Sequence, residues 1–449
     1  MKKNVPSVSL DTQLEYVEEM LKQGISEAKK NHAEQFEIFA NFQISEIIEA
    51  ERGTIKSFRT VYKNGVAIKL VYKNRLCFAT GTNPEKTAKN AITSATAGEN
   101  VKGFVFPEPN KKISKALAQN KNLNNLLGLD EMQQILEQEI DMKTYFTVPS
   151  ANIEKSTNLY GIANSSGIFC TAVTSTIASE IFVNYKNSSG YASVIAKNKQ
   201  AFEKERYKLQ KAKDSAKAFY NAGTVKSSGK PRNVVLRDEA LAGILSILFN
   251  SITAESYFIG TSRLMLKKQE LGKNITISDI NEHQIAPTVY IDGEGLATSE
   301  KIIFKNGVLE NLLCKSLNCW KLNKKLGHKY SKNITPGNAS RFNYNSEIHE
   351  CFNCAVFHPG KGINIEKGDI IVEEVQGLHT VDKTTGNFSL AVEHGFLVGN
   401  GLHEKPVSRF AISGNVFEVF KHCEIDKKPS LLFGEIVAPE IKTKLIVTG

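Results

Sequence analysis

A chain of 449 residues, 41% hydrophobic and 23% charged, is long enough for two or three domains with real cores, which excludes a disordered or fibrous protein. Its formal charge of +10 is carried by lysines spread along the chain, with no basic block interleaved with aromatics, so it reads as a solvated surface and nucleic-acid binding is not expected. Seven cysteines without framework spacing fit free thiols in a reducing compartment, and the longest apolar run, residues 240–249, is about half of the roughly 20 residues a membrane span needs, so a cytoplasmic protein is expected.

The chain opens with Leu14, Val17, Leu21, Ile25 and Ala28 at helical spacing, and Thr12 with Glu15 suggests a capping box. FEIFANF (36–42), SEIIEA (45–50), TIKSFRTV (54–61), GVAIKLVY (65–72) and LCFAT (76–80) read as strands, with a tight hairpin expected at Asn64-Gly65. Asn83 then Pro84 is an N-cap followed by proline at the first helical position. FPEPNKK (106–112) reads as a linker because two prolines forbid regular structure. A helix capped by Asp130 starts a second unit, and residues 161–197 alternate β-prone runs with Ser-Ser-Gly turns before a charged helix over 203–220. SSGKPR (227–232) is the next linker, followed by an apolar helix over 238–252 and short strands rich in glycine. The expected architecture is α+β: an N-terminal helix-and-sheet domain over 10–105, a middle meander with helices over 125–225 and a β-rich C-terminal domain over 233–449.

Catalytic signatures are scarce. His403-Glu404 lacks a second ligand one turn on, where Val407 stands behind the helix-breaking Pro406; for His349-Glu350 that place falls at Asn353, with Cys354 next to it. Cys351 and Cys354, with His349 and His358 close by, have a spacer seen at zinc sites but not the usual separated ligand pairs. No nucleophile elbow, phosphate loop or dinucleotide fingerprint is present. In VDKTTGNFSLAVEHGFLVGNG (381–401) the glycines read as hairpin turns, and His394 and His403 as polar turn residues.

Several blocks are more informative as a pattern. KNGVLENLLCKS (305–316), TPGNASR (335–341), the stretch 377–401 with EKPV (404–407), and ISGN (412–415) resemble the TldD/PmbA family in order and spacing, and with the N-terminal helix and meander the likeness runs from about residue 12 to 425. The resemblance implies a two-component zinc metallopeptidase acting on peptides or unfolded proteins, in which the TldD-type subunit carries a helical His-Glu-x-x-x-His motif and the PmbA (TldE) type does not. Here Ile247, Leu248 and Ile252 stand at the histidine, glutamate and second histidine positions, and Cys423 lacks the Gly-rich ligand segment of the catalytic subunit. None of the three can bind zinc or move a proton.

The resemblance therefore implies a PmbA/TldE-like chain with no catalytic centre, no metal and no cofactor of its own, zinc residing in a TldD-like partner, and self-pairing when that partner is absent. The TTGN loop and GNASR block offer candidates for a groove that takes extended peptide: Asn338, Arg341, Thr385, Gly386 and Asn387. The alternatives are a divergent metal-dependent peptidase using the 349–358 cluster, and a stand-alone binding protein, as the family's older label of DNA gyrase modulator suggests.

Overall fold

The computed structural model of the chain describes residues 9–449 except 110–125, 142–144, 228, 284–285 and 287–288. Helix α1 (Leu10–Lys30) is capped by Ser9, whose hydroxyl accepts from the Thr12 backbone N–H, so the cap lies three residues before the Thr12 expected from sequence. It is followed by β1 (Gln35–Glu51), β2 (Thr54–Tyr72) and β3 (Arg75–Gly81), then α2 (Pro84–Thr93) and β4 (Glu99–Asn100). Asn83 caps α2 as expected, accepting from the Lys86 N–H.

The expected five-strand meander is three strands, because Asn64 and Gly65 lie in the middle of β2, paired with Phe42 and Asn41. The true turns are Arg52-Gly53 and Lys73-Asn74, whose four positive φ angles suit tight two-residue hairpins. Gly65 has a different duty. A Cβ there would lie 2.6 Å from the ring of Tyr344, so the residue is small to let the C-terminal half of the chain approach the strand.

The second group comprises α3 (Leu129–Ile140), β5 (Phe146–Thr147), β6 (Ser150–Asn164), β7 (Phe169–Tyr185), β8 (Ser188–Ala196), α4 (Lys199–Glu205) and α5 (Gln210–Ala218). Helix α3 begins at Gly128 rather than Asp130, with Glu131 reaching back to the Gly128 N–H at 2.9 Å. The first Ser-Ser-Gly segment does turn, between β6 and β7, but the second lies within β8, where Gly190 gives room to the Ala212 carbonyl of α5. Of the two linkers, residues 110–112 and Ser228 lie outside the described residues, and Pro231 already belongs to a strand.

Strands β1 and β6 pair antiparallel from Glu37↔Asn164 to Glu51↔Ser150, joining the two groups in one eight-stranded sheet of order β4-β3-β2-β1-β6-β7-β5, with β8 on β7. The period-2 alternation of β1 divides the duties of this sheet. Ile38 and Ala40 pack beneath α1 and α2, and Ile48 and Ala50 beneath α3, while Phe39 on the other face meets Ile291 and Leu296 of the C-terminal part.

The C-terminal part comprises β9 (Pro231–Leu236), α6 (Asp238–Asn250), α7 (Ala254–Ile259), β10 (Ile277–Asp279), β11 (Lys301–Lys305), β12 (Val308–Leu309), α8 (Ser316–Lys325), β13 (Ala339–Ser340), β14 (His349–Glu350), β15 (Ala355–Phe357), β16 (Ile370–Gln376), β17 (Asn387–Val398), β18 (Glu404–Val407), β19 (Phe410–Asn415), α9 (Val416–Lys421), β20 (Glu424–Leu432) and β21 (Ile436–Thr448). Eleven of these strands form a second sheet, and the β9–β21 ladder closes β21, β19, β17, β16 and β9 into a barrel. Helix α6 packs with the barrel's apolar residues in the largest core. Cys314 and Cys319 are joined as a disulfide, unlike the free thiols expected from the cysteine count. No helix among the described residues is long and apolar enough to cross a membrane. The fold is α+β, as the order of elements in the sequence suggests.

Candidate functional site

Helix α6 is the element on which the family resemblance places a metal motif, at residues 247, 248 and 252. Leu241, Ile244, Leu245 and Leu248 are at most 1% exposed, Ile247 is 4% exposed and Ile252, just past the helix, is fully buried. The helix continues only after a break, with Thr253 capping α7. Each large apolar side chain taken from water here contributes about 1.5–3 kcal/mol. Hydrocarbon at these three positions offers no lone pair, so the residues present do not fit a zinc ion.

The 349–358 cluster does not assemble a centre either. Among the described residues no group of three or more His, Cys, Asp or Glu side chains is arranged to hold a metal ion. His358 Nε2 is engaged with Ser278 Oγ at 2.9 Å, and burial, with Asp279 nearby, pushes the Cys354 thiol up to about 12.

Arg341 instead joins the C-terminal part to the first sheet, while Asn338 is held wholly within the C-terminal part. Asn338 is 1% exposed; its Nδ2 donates to Asp279 Oδ2 at 2.7 Å and its Oδ1 accepts from Lys301 Nζ at 2.6 Å. Burial pushes the Asp279 carboxyl up to about 6, although the Asn353 side chain and backbone, the Cys354 N–H and Asn338 all donate to it. Arg341 lies over the ring of Phe39, 4.7 Å from its centroid, and donates to Glu37 Oε1 at 3.1 Å; Glu37 also accepts from Lys69 at 3.0 Å. Beside them Asp292 accepts from the backbone of Glu294, Leu296 and Ala339, and Glu294 takes both the N–H and hydroxyl of Ser316.

Thr385, Gly386 and Asn387 form a separate loop at the start of β17. Asp382 accepts from the Thr384 and Thr385 N–H groups, the Gly386 N–H bonds to the Asp382 carbonyl at 2.7 Å, and Asn415 Nδ2 reaches the Thr385 carbonyl at 2.7 Å and Asn387 Oδ1 at 2.8 Å. Thr385 and Asn387 are exposed and Gly386 is buried against Phe417. Among the described residues this loop shares no hydrogen-bond partner with Asn338 or Arg341.

A cleft of about 130 Å³ opens where β8 and α5 meet the N-terminus of α6, β16, β17 and the β20–β21 turn. Asp238 and Glu239 enter it from the first turn of α6, Glu373 and Glu374 from β16 and His394 from β17, and Leu431, Leu432 and Phe433 also line it. His394, expected in a turn, lies within β17, stacked on Phe219 at 4.2 Å, with Nδ1 2.7 Å from Glu374. The strand runs on through Gly395, where a Cβ would sit 2.8 Å from the Ile371 carbonyl, so this glycine also marks a close approach. His403, by contrast, is exposed in the turn before β18. The cleft was not legible as a site because its residues come from β8, α4, α5, α6, β16, β17 and β20, and of the blocks that carry the family resemblance only the 377–401 stretch reaches it, through His394.

Residues 228–449 match the model of the PmbA/TldA metallopeptidase C-terminal domain. An uncharacterised protein of Methanocaldococcus jannaschii is 24% identical over 413 residues, covering 87% of this chain and 93% of that protein. The metalloprotease PmbA of Escherichia coli O157:H7 is 26% identical over 227 residues, 46% of this chain and 45% of that protein, so the match spans under half of either. Among solved structures, TldE from Thermococcus kodakarensis superposes with a TM-score of 0.81 at 18% identity, over 97% of this chain and all of that one (100%). A Thermotoga maritima protein described as a modulator of a DNA gyrase superposes with a TM-score of 0.75 at 20% identity, over 96% and 100%. At these identities the superpositions speak for the fold alone, and the family likeness rests on the C-terminal part: residues 228–449 form a PmbA/TldA metallopeptidase C-terminal domain, in a chain similar to PmbA and folded like TldE.

Proposed function

We propose that this chain is the metal-free subunit of a two-component peptidase, pairing with a TldD-like zinc subunit and helping to enclose peptides or unfolded protein segments. The supporting observation is the core of α6: Ile247, Leu248 and Ile252 pack as hydrocarbon where zinc ligands and a general base would be needed. A scaffold that keeps the fold without the chemistry supplies surface, and a stable pairing would bury at least about 1,000 Å² in total. In this reading Thr385 and Asn387 meet peptide from an exposed loop that Gly386 shapes, while Arg341 acts through its joint with Glu37 and Asn338 by ordering the strands behind it.

The test is to mix the purified chain with the TldD-like protein of the same organism and follow co-elution and cleavage of an unstructured peptide. Both chains are expected to be required, and removing the partner's zinc-binding histidines is expected to abolish cleavage. Hydrolysis by this chain alone, or activity that survives loss of those histidines, would overturn the assignment.

A further inference from the structure

The cleft at the N-terminus of α6 is acidic in a chain whose overall charge is +10. Five carboxylates line it: those of Glu205, Asp238, Glu239, Glu373 and Glu374. Four are matched within the protein. Lys208 lies 2.7 Å from Glu205, Lys211 lies 2.9 Å from Asp238, Arg237 lies 2.6 Å from Glu373, and His394 lies 2.7 Å from Glu374.

Glu239 is the remaining one, with no ion pair or hydrogen bond to any described residue. The Lys211 and His394 side chains act on it from nearby, but each is already engaged with another acid. Leu431, Leu432 and Phe433 with Ala192 and Val194 also line the cleft and give it apolar surface. A charged acceptor at one end and hydrocarbon along the side complement a primary ammonium on a methylene stem, because such a group keeps its stem on apolar surface while its head seeks an anion.

We propose that this cleft binds the primary ammonium of a peptide, a lysine side chain or a free N-terminus, with Glu239 as its counter-ion and the 431–433 segment against its stem. The choice of a peptide as carrier rests on the proposed peptide-handling role. Binding is read on the isolated chain, however, so its failure and a failure to pair with a TldD-like subunit are separate results.

Burial, then Glu374 and Asp238, push the Glu239 carboxyl up to about 7, with His394 and Lys211 opposing. Tyr191 of β8 also faces this group. Glu239 thus loses its charge as the pH falls below about 7, while the ligand's ammonium stays protonated. Affinity is expected to fall on acidification, the reverse of what simple titration of the amine would give.

The experiment is a calorimetric titration of the full chain with three short unstructured peptides, each amidated at the C-terminus. One is N-acetylated with a single lysine, one is N-acetylated with norleucine in that place, and one has a free N-terminus and no lysine. The lysine peptide, the free-amine peptide or both are expected to bind at about pH 8, at least about tenfold more tightly than the norleucine peptide, a difference set by one charge-assisted contact. Glu239→Gln is expected to abolish that preference and its pH dependence, and Glu239→Asp to retain part of it, with unchanged melting temperatures showing that both variants fold. Equal binding of all three peptides, no binding of any, or full affinity in Glu239→Gln would overturn the proposal.

Discussion

Arg341 and Glu37, 304 residues apart in the chain, meet at 3.1 Å with both side chains 1% exposed. Glu37 has a second cation in Lys69 at 3.0 Å, whereas Arg341 donates to no other side chain among the described residues. The pair is therefore asymmetric. Glu37→Gln leaves a buried guanidinium without its ion-pair partner and is expected to cost about 3–5 kcal/mol, the scale for breaking a buried pair. Arg341→Met leaves Glu37 with Lys69 and is expected to cost clearly less. Urea denaturation midpoints of the two variants check the order, and a reversed order would show that Lys69 does not compensate.

At Gly386 the backbone adopts φ 77°, and a Cβ would lie 2.6 Å from the ring of Phe417. Strain and contact act together there. Gly386→Val is expected to lower stability by about 1–3 kcal/mol, the scale for a strained backbone position. An unchanged denaturation midpoint would mean that the loop rearranges freely and does not hold α9 in place.

The Asp292 carboxyl is pushed up to about 7 by burial and then by Glu294. Its folded value lies above the unfolded carboxylate value of about 3.9, so the folded chain holds a proton that the unfolded chain releases between these limits. That contribution to stability is fully present below about pH 4 and is lost as the pH rises through about 7. Asp292→Asn is expected to flatten this loss. Denaturation midpoints across that range check it, and identical slopes in the two proteins would assign the loss to other buried acids.

The purified chain by itself is expected to carry no stoichiometric zinc, since Ile247, Leu248 and Ile252 provide no ligands. Elemental analysis after dialysis measures this directly. One tightly held zinc per chain that disappears in Cys351→Ser or Cys354→Ser would move the assignment to a metal-dependent peptidase.

What depends on neighbours in sequence was legible without the structure. The Asn83-Pro84 helix start, the all-apolar face of α6 and the positive φ of Gly386 each follow from side chains and backbone within a few residues, where capping, burial and steric rules act directly. What depends on distant approach was not. Gly65, Gly190 and Gly395 carry the same local signal as a turn glycine, yet each lies within a strand and makes room for Tyr344, the Ala212 carbonyl or the Ile371 carbonyl. A missing Cβ permits both a left-handed backbone and a close contact, and only the fold selects between them. The Arg341–Glu37 joint and the cleft around Glu239 belong to the same class. Their partners are brought together by packing of the C-terminal part on the first sheet and by the closed barrel, and no periodicity within a segment encodes which remote strand will lie beside it.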